Sequence, residues 1–168
     1  LSHEGIFGAL VSHGSSTVPK YIVDENNALG GDLTNTYGIA VEELQAAISC
    51  GINKINVDTD IRLAVTRNMK ELFVKYPELR TSTSIGEIYE LLEAKKSQFD
   101  PRVFLPPIMD TVMKGNIPDE DVAAIVNCVE RGVKEVVGTL IVQFGSFGKA
   151  PLVEQVTLEE MIERYKKI

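Results

Sequence analysis

Only two segments of this chain read as β-strands, and two parallel strands cannot make a stable sheet by themselves. Ile6-Phe7-Gly8-Ala9-Leu10-Val11-Ser12 is a mostly continuous apolar run, the pattern of a parallel strand buried on both faces. Asn53-Lys54-Ile55-Asn56-Val57 is a second, shorter strand. After it the pattern is almost all helical. Parallel sheets need several strands and cover on both faces, so the order strand, helices, strand, helices, then helices only predicts the tail end of a larger α/β architecture whose earlier strands are absent.

The helices are punctuated clearly. Pro19 suits the first turn of a helix reaching about Leu29, with Gly30-Gly31 as its stop. Val41 to Ser49 carries Val41, Leu44 and Ile48 at helical spacing, and Gly51 follows it. A longer helix is predicted over Ile61–Lys75, capped by one of Asp58, Thr59 and Asp60. Further helices are expected over Ile85–Ser97, over Pro101–Met113 (where Pro106 and Pro107 trouble the first turns), and from Pro118 to about Val137. Thr139 to Phe144 fits strand or helix. Gly145-Ser146-Phe147-Gly148 reads as a turn. Thr157 with Glu160 three residues on reads as a capping box for a last helix.

Charge narrows the functions. The chain carries 17 basic and 24 acidic residues, a net charge of −7, and no Lys/Arg cluster longer than a pair. Nucleic-acid binding needs a basic face and is not expected. A small phosphate can still bind, through a local site of backbone N–H groups and one or two arginines. No apolar run approaches the roughly 18 residues of a membrane span, and Leu1-Ser2-His3-Glu4-Gly5 reads as neither a signal nor a transit peptide. Cys50 and Cys128 read as two buried thiols in a reducing cytoplasm.

Both strands end in a burst of polar residues, His13-Gly14-Ser15-Ser16 and Asn56-Val57-Asp58-Thr59-Asp60. In α/β barrels catalytic groups sit at the C-terminal ends of strands, and the phosphate site often follows strands seven and eight. Small residues before a helix expose N–H groups to an anion. Each burst alone is a weak signal: Gly-Ser-Ser is an ordinary turn, Asp58 or Asp60 suits a plain helix cap, and a lone histidine at a strand end is more often a hydrogen-bonded core residue than a ligand. One histidine does not hold a catalytic zinc, which takes three protein ligands and an open position.

The motifs taken together resemble the class II, zinc-dependent fructose-bisphosphate aldolases. His13-Gly14-Ser15-Ser16-Thr17-Val18-Pro19 matches the family pattern H-G-S-S-x-V-P, and Asn56-Val57-Asp58-Thr59-Asp60-Ile61-Arg62 resembles N-[IV]-D-T-D-x-R. Phe99-Asp100-Pro101-Arg102 is similar to the F-D-P-R segment, and Phe144 to Ala150 to a Gly-rich stretch near the C-terminus. The resemblance implies the C-terminal part of a (β/α)8 TIM barrel, its last two strands, followed by a mostly helical extension. Residues 1–79 would hold the last two βα units, and residues 80–168 a helical region at a subunit interface. The N-terminal half of the barrel would be absent.

By the same resemblance His13 is a metal ligand, and Gly14, Ser16 and Thr59 hold one phosphate. Asn56 lies beside the enediolate and Asp58 binds a substrate hydroxyl. Arg62 binds the second phosphate, joined by Arg102 from a neighbouring subunit. As a plainer alternative, Arg62 pairs with Asp58 or with glutamates. The implied cofactors are Zn2+, with its remaining ligands and the catalytic base in the N-terminal half, and a monovalent cation. The implied partners are a sugar bisphosphate, that N-terminal half, and further copies in a cytoplasmic homodimer or tetramer. The reaction would be reversible cleavage of fructose 1,6-bisphosphate, with the chain alone inactive. The alternatives are a tagatose-bisphosphate aldolase and an inactive fragment acting as an assembly module. The segments Arg80–Gln98 and Lys114–Gly138 are longer than in many relatives, and Phe147 replaces a small residue of the Gly-rich turn.

Overall fold

The computed structural model describes residues 9–34 and 36–167, so Ile6, Phe7 and Gly8 of the first expected strand, and His3, lie outside the described residues. Strand β1 (Leu10–Ser12) is followed by helices α1 (Lys20–Ala28) and α2 (Val41–Ser49), strand β2 (Ile52–Ile55) and the long helix α3 (Thr59–Lys75). Helices α4 (Gly86–Ala94), α5 (Pro106–Met113), α6 (Glu120–Gln143) and α7 (Leu158–Tyr165) complete the chain, with short 3-10 turns at Pro77–Thr81, Pro101–Val103 and Ala150–Leu152. Among the described residues the sheet has two strands, paired in parallel with Val11 opposite Lys54 and Ser12 opposite Ile55. The register slips between Leu10 and Val11, where the Leu10 N–H donates instead to the Asn53 side chain at 2.9 Å. Leu10 and Val11 are exposed, as expected of a parallel sheet without flanking strands.

Helix α3 is the hub. Ten of its residues, from Asp60 to Phe73, are buried, so it is enclosed on most of its circumference rather than along one stripe. Leu63 and Ala64 pack with Ile22, Val23, Leu33 and Val136 between α1 and the end of α6. Val65, Met69, Leu72 and Phe73 enter a larger core with Ile88, Phe104, Ile108 and Ile125 from the helices that follow. The α3–α6 crossing is close because Gly132 lies against the backbone of Val65, and a Cβ there would sit 2.8 Å from the Val65 nitrogen.

Several boundaries differ from expectation for identifiable reasons. The segment expected as one helix over Pro101–Met113 is a 3-10 turn and then α5. Pro106 and Pro107 have no N–H to carry a helix forward, but they fit the opening turn of a new one. The expected helix Ile85–Ser97 ends at Ala94. The ambiguous stretch Thr139–Phe144 is helix, because α6 continues until Gly145 takes a left-handed φ of 70°. There the Ser146 N–H donates to the Ile141 carbonyl at 2.9 Å and the Gly145 N–H to Val142 at 3.1 Å, a Schellman stop. The capping box at Thr157 and Glu160 is present.

Cys128 is buried in α6, where desolvation pushes its thiol above the ordinary value, whereas Cys50 is exposed just past α2. The expectation of two buried thiols therefore holds for one of them. No helix of the described residues is long and apolar enough to cross a membrane.

Replacing Gly132 by Ala should force α3 and α6 apart. We expect a loss of about 1–3 kcal/mol, read by urea unfolding, with the m-value unchanged. An unchanged midpoint would mean that the crossing relaxes freely.

Candidate anion and metal site at the strand ends

Because the two strands are parallel, their C-terminal ends lie side by side, and the pairing continues beyond them. Asn56 N–H donates to the Ser12 carbonyl at 2.9 Å and Ser15 N–H to the Asn56 carbonyl at 3.3 Å. Gly14 takes a left-handed φ of 65° and turns the chain above the sheet, while Ser15 is fully buried. The turn brings His13 against Asn56, with the imidazole Nδ1 2.9 Å from the Asn56 amide nitrogen. The tautomer and the amide orientation are mutually dependent, and the contact engages Nδ1 of the ring.

The start of α3 is capped from the other loop. Asp58 occupies the N-cap position, yet its side chain makes no capping bond and pairs with Arg62 instead. The acceptor is Ser16 Oγ, which takes the N–H groups of Asp58 at 3.1 Å and Thr59 at 3.0 Å. This replaces the expectation that Asp58, Thr59 or Asp60 caps the helix.

Asp60 faces the opposite way. Its carboxylate is 1% exposed and accepts from Thr17 N–H at 3.0 Å, Thr17 Oγ1 at 2.7 Å and Val18 N–H at 2.8 Å. Each βα junction thus accepts N–H groups of the other: Ser16 those at the start of α3, Asp60 those of the loop that leads into α1. Gly38 closes the second side of the loop, where a Cβ would fall 2.1 Å from the Thr17 carbonyl oxygen.

Above this lock lies a cleft of about 580 Å³ with Gly14, Ser16, Thr59, Tyr37 and Phe99 in its wall. The structure therefore brings Gly14, Ser16 and Thr59 to one cleft, with His13 and Asn56 paired beside the loop that forms it. Arg62 is bonded to both oxygens of Asp58, at 2.7 Å for Nε, and reaches Asp100 at 2.8 Å. Arg102 grips the same Asp100, with Nε 3.0 Å from either oxygen. Both arginines thus converge on one carboxylate. The pairing of Arg62 with Asp58 weighed as the plainer alternative is present.

Asp100 is held there because Thr66 of α3 donates to the Phe99 carbonyl at 2.8 Å, fixing the Phe-Asp-Pro-Arg segment to the helix that carries Arg62. The hydrogen bond from the Arg102 side chain, then its backbone N–H and the charge of Arg62, hold the Asp100 carboxyl below the usual carboxylate range against the opposing effect of burial.

Two residues of this arrangement, Asp60 and Asp100, were not singled out from the sequence. The signal was the second Asp of Asp-Thr-Asp and the Asp-x-Arg spacing, each of which also fits a plain helix cap. As for zinc, His13 is one exposed imidazole, and among the described residues no group of three His, Cys, Asp or Glu side chains could hold a metal ion. The described residues by themselves do not fit a catalytic zinc site.

Two βα units whose loops are hydrogen-bonded to each other beside a small cleft are compatible with a strand-end site of the α/β-barrel type. Residues 2–149 match the family model described as fructose-bisphosphate aldolase class-II, and the chain belongs to that family. It is 35% identical over 156 residues to a fructose-bisphosphate aldolase of Xanthobacter flavus, covering 93% of this chain and 33% of that protein. It is likewise 35% identical over 158 residues to one of a Nostoc species, and 31% identical over 157 residues to a plasmid-encoded one of Cupriavidus necator. The chain spans about a third of the length of these relatives. The family's fold is the barrel. This mostly helical chain with its two-stranded parallel sheet is compatible with part of one.

The depressed Asp100 sets a pH signature. A carboxyl whose folded pKa lies below its unfolded value of about 3.9 stabilises the fold above that value and loses the contribution as pH falls through the folded value. Asp100→Asn should therefore be less stable than the parent at pH 7, with the gap closing below about pH 4 in urea unfolding across a pH series. A gap independent of pH would contradict the assignment.

Proposed function

We propose that this chain supplies the last two strands and the helical extension of a (β/α)8 barrel that cleaves fructose 1,6-bisphosphate reversibly to dihydroxyacetone phosphate and glyceraldehyde 3-phosphate. The observation that carries the reading is the reciprocal hydrogen bonding of the two strand-end loops. It leaves Gly14, Ser16 and Thr59 facing one cleft of a size suited to a sugar phosphate. Family membership supports the chemistry. In this reading residues 1–79 carry the site, and residues 80–168 brace α3 and meet another subunit.

The residues have distinct tasks. Ser16 Oγ has both lone pairs engaged by backbone N–H groups, so its remaining O–H is free to donate to a phosphate oxygen. Gly14 lets that phosphate approach the backbone, and Thr59 adds a hydroxyl at the positive end of α3. Asn56 orients the His13 ring and lies beside the reacting carbons, while Asp58 accepts a substrate hydroxyl. Arg62 and Arg102 exchange part of their grip on Asp58 and Asp100 for the second phosphate, whose bidentate geometry suits a guanidinium.

His13 is one ligand of a zinc ion whose other ligands lie in polypeptide outside these residues. Such an ion, when bound, polarises the ketone. The catalytic base and any monovalent cation belong to the complete barrel, so the chain alone is inactive. A homo-oligomer in the cytoplasm fits the two free thiols.

In the complete enzyme His13→Ala should lower zinc content and turnover together while the far-UV circular dichroism spectrum stays the same. Full zinc occupancy in that variant would refute the ligand role. Arg62→Ala should raise KM for fructose 1,6-bisphosphate roughly ten- to a hundredfold, the worth of one charged hydrogen-bonded contact. Faster turnover of tagatose 1,6-bisphosphate than of the fructose isomer by the unmodified enzyme would overturn the choice of sugar.

A further inference from the structure

Asp60 is the buried carboxylate at the strand ends, and it stands outside the wall of the cleft. It is the second residue of α3, yet all three of its hydrogen bonds go to the opposite loop, to Thr17 and Val18. That loop is under strain. Val18 has a left-handed φ of 49°, which is unfavourable for a β-branched residue and more so before a proline. Such a conformation costs of order 1–3 kcal/mol and persists only where the surroundings impose it. The imposing groups are visible: the Val18 N–H is held at 2.8 Å by Asp60, and Gly38 packs against the Thr17 carbonyl. Val18 itself stands in the wall of the cleft, with Gly14 and Ser16.

From this geometry we infer that Asp60 is a positioning residue for phosphate: it fixes the strained Gly14–Val18 loop in its anion-receiving conformation without touching the ligand. The inference rests on the phosphate role proposed for that loop. It carries a sign that a bland role does not. A buried negative charge beside a phosphate site repels the ligand, so if Asp60 only filled space, Asp60→Asn would strengthen phosphate binding. As a positioning residue its loss weakens binding. Asparagine turns one acceptor into a donor that faces the Thr17 or Val18 N–H, and the loop is released.

The test is calorimetric titration of dihydroxyacetone phosphate into the zinc-loaded complete enzyme. Asp60→Asn is compared with the parent, and zinc content and thermal midpoint are recorded alongside. Thr17→Val serves as a gentler variant that removes one of the three bonds and keeps the shape. Expected is a rise in Kd of at least tenfold for Asp60→Asn and a smaller rise for Thr17→Val, with zinc content unchanged. In steady-state assays KM should rise more than kcat falls. If Asp60→Asn fails to fold, Thr17→Val decides alone, and an unchanged Kd there overturns the inference. Parent-like or tighter binding by Asp60→Asn also overturns it while leaving the phosphate loop intact. No binding by the parent would instead sink the proposed function, and this inference with it.

Discussion

The hydrogen bonds that tie the two βα junctions together are the constraint on which the site depends. A helix start leaves its first N–H groups without partners. Helix α1 meets part of this locally, where the Ile22 and Val23 N–H groups donate to the Pro19 carbonyl, whereas α3 draws on the other loop. Ser16 caps α3, and Asp60 serves the approach to α1. A two-stranded parallel sheet with exposed Leu10 and Val11 contributes little rigidity, so this crossed pair does more to fix the relative position of the two loops than the strands do. The consequence is chemical. Phosphate ligands taken from two loops act together only if the loops hold a constant spacing.

The helical region serves the same end from behind. Helix α3 carries Thr59, Asp60 and Arg62 at one end and is enclosed along the rest of its length. Thr66 anchors the Phe99 carbonyl, and through it Asp100 and Arg102, to the same helix. The close crossing at Gly132 clamps α3 against α6. Arg67, with Glu25 and Glu135 as ion-pair partners, ties α1, α3 and α6 on the far side. Such partly buried pairs contribute more to a fixed arrangement than to net stability.

Much of this was legible in the sequence, for stated reasons. Helix α2 was read to the residue because Val41, Leu44 and Ile48 share a face and Gly51 follows. Pro19 and Thr157 marked helix starts that the structure keeps. The polar bursts after two strands marked the cleft, because parallel strands place their C-terminal ends together. Long-range partners were not legible. Nothing near Asp58 in the chain says that its helix is capped by Ser16, more than forty positions earlier. Asp60 looked like a cap because an acidic residue at a helix start usually is one, and its true partners lie across a contact between loops. Thr139–Phe144 stayed ambiguous because Val, Ile and Thr suit strands, and the decision was made by the Gly145 stop beyond it. The shared carboxylate of Arg62 and Arg102 depends on the fold of the Phe99–Arg102 segment, which no local pattern encodes.

An acidic chain binds a phosphate only if backbone dipoles and a few hydroxyls are gathered in one place, and the central claim is that the two strand-end loops form one such place. The most direct measurement is a titration of inorganic phosphate followed by amide chemical shifts. If the loops act together, the amides of Gly14, Ser16 and Thr59 move along one binding curve with a single Kd. Shifts confined to one loop, or two curves with separate constants, would contradict the account.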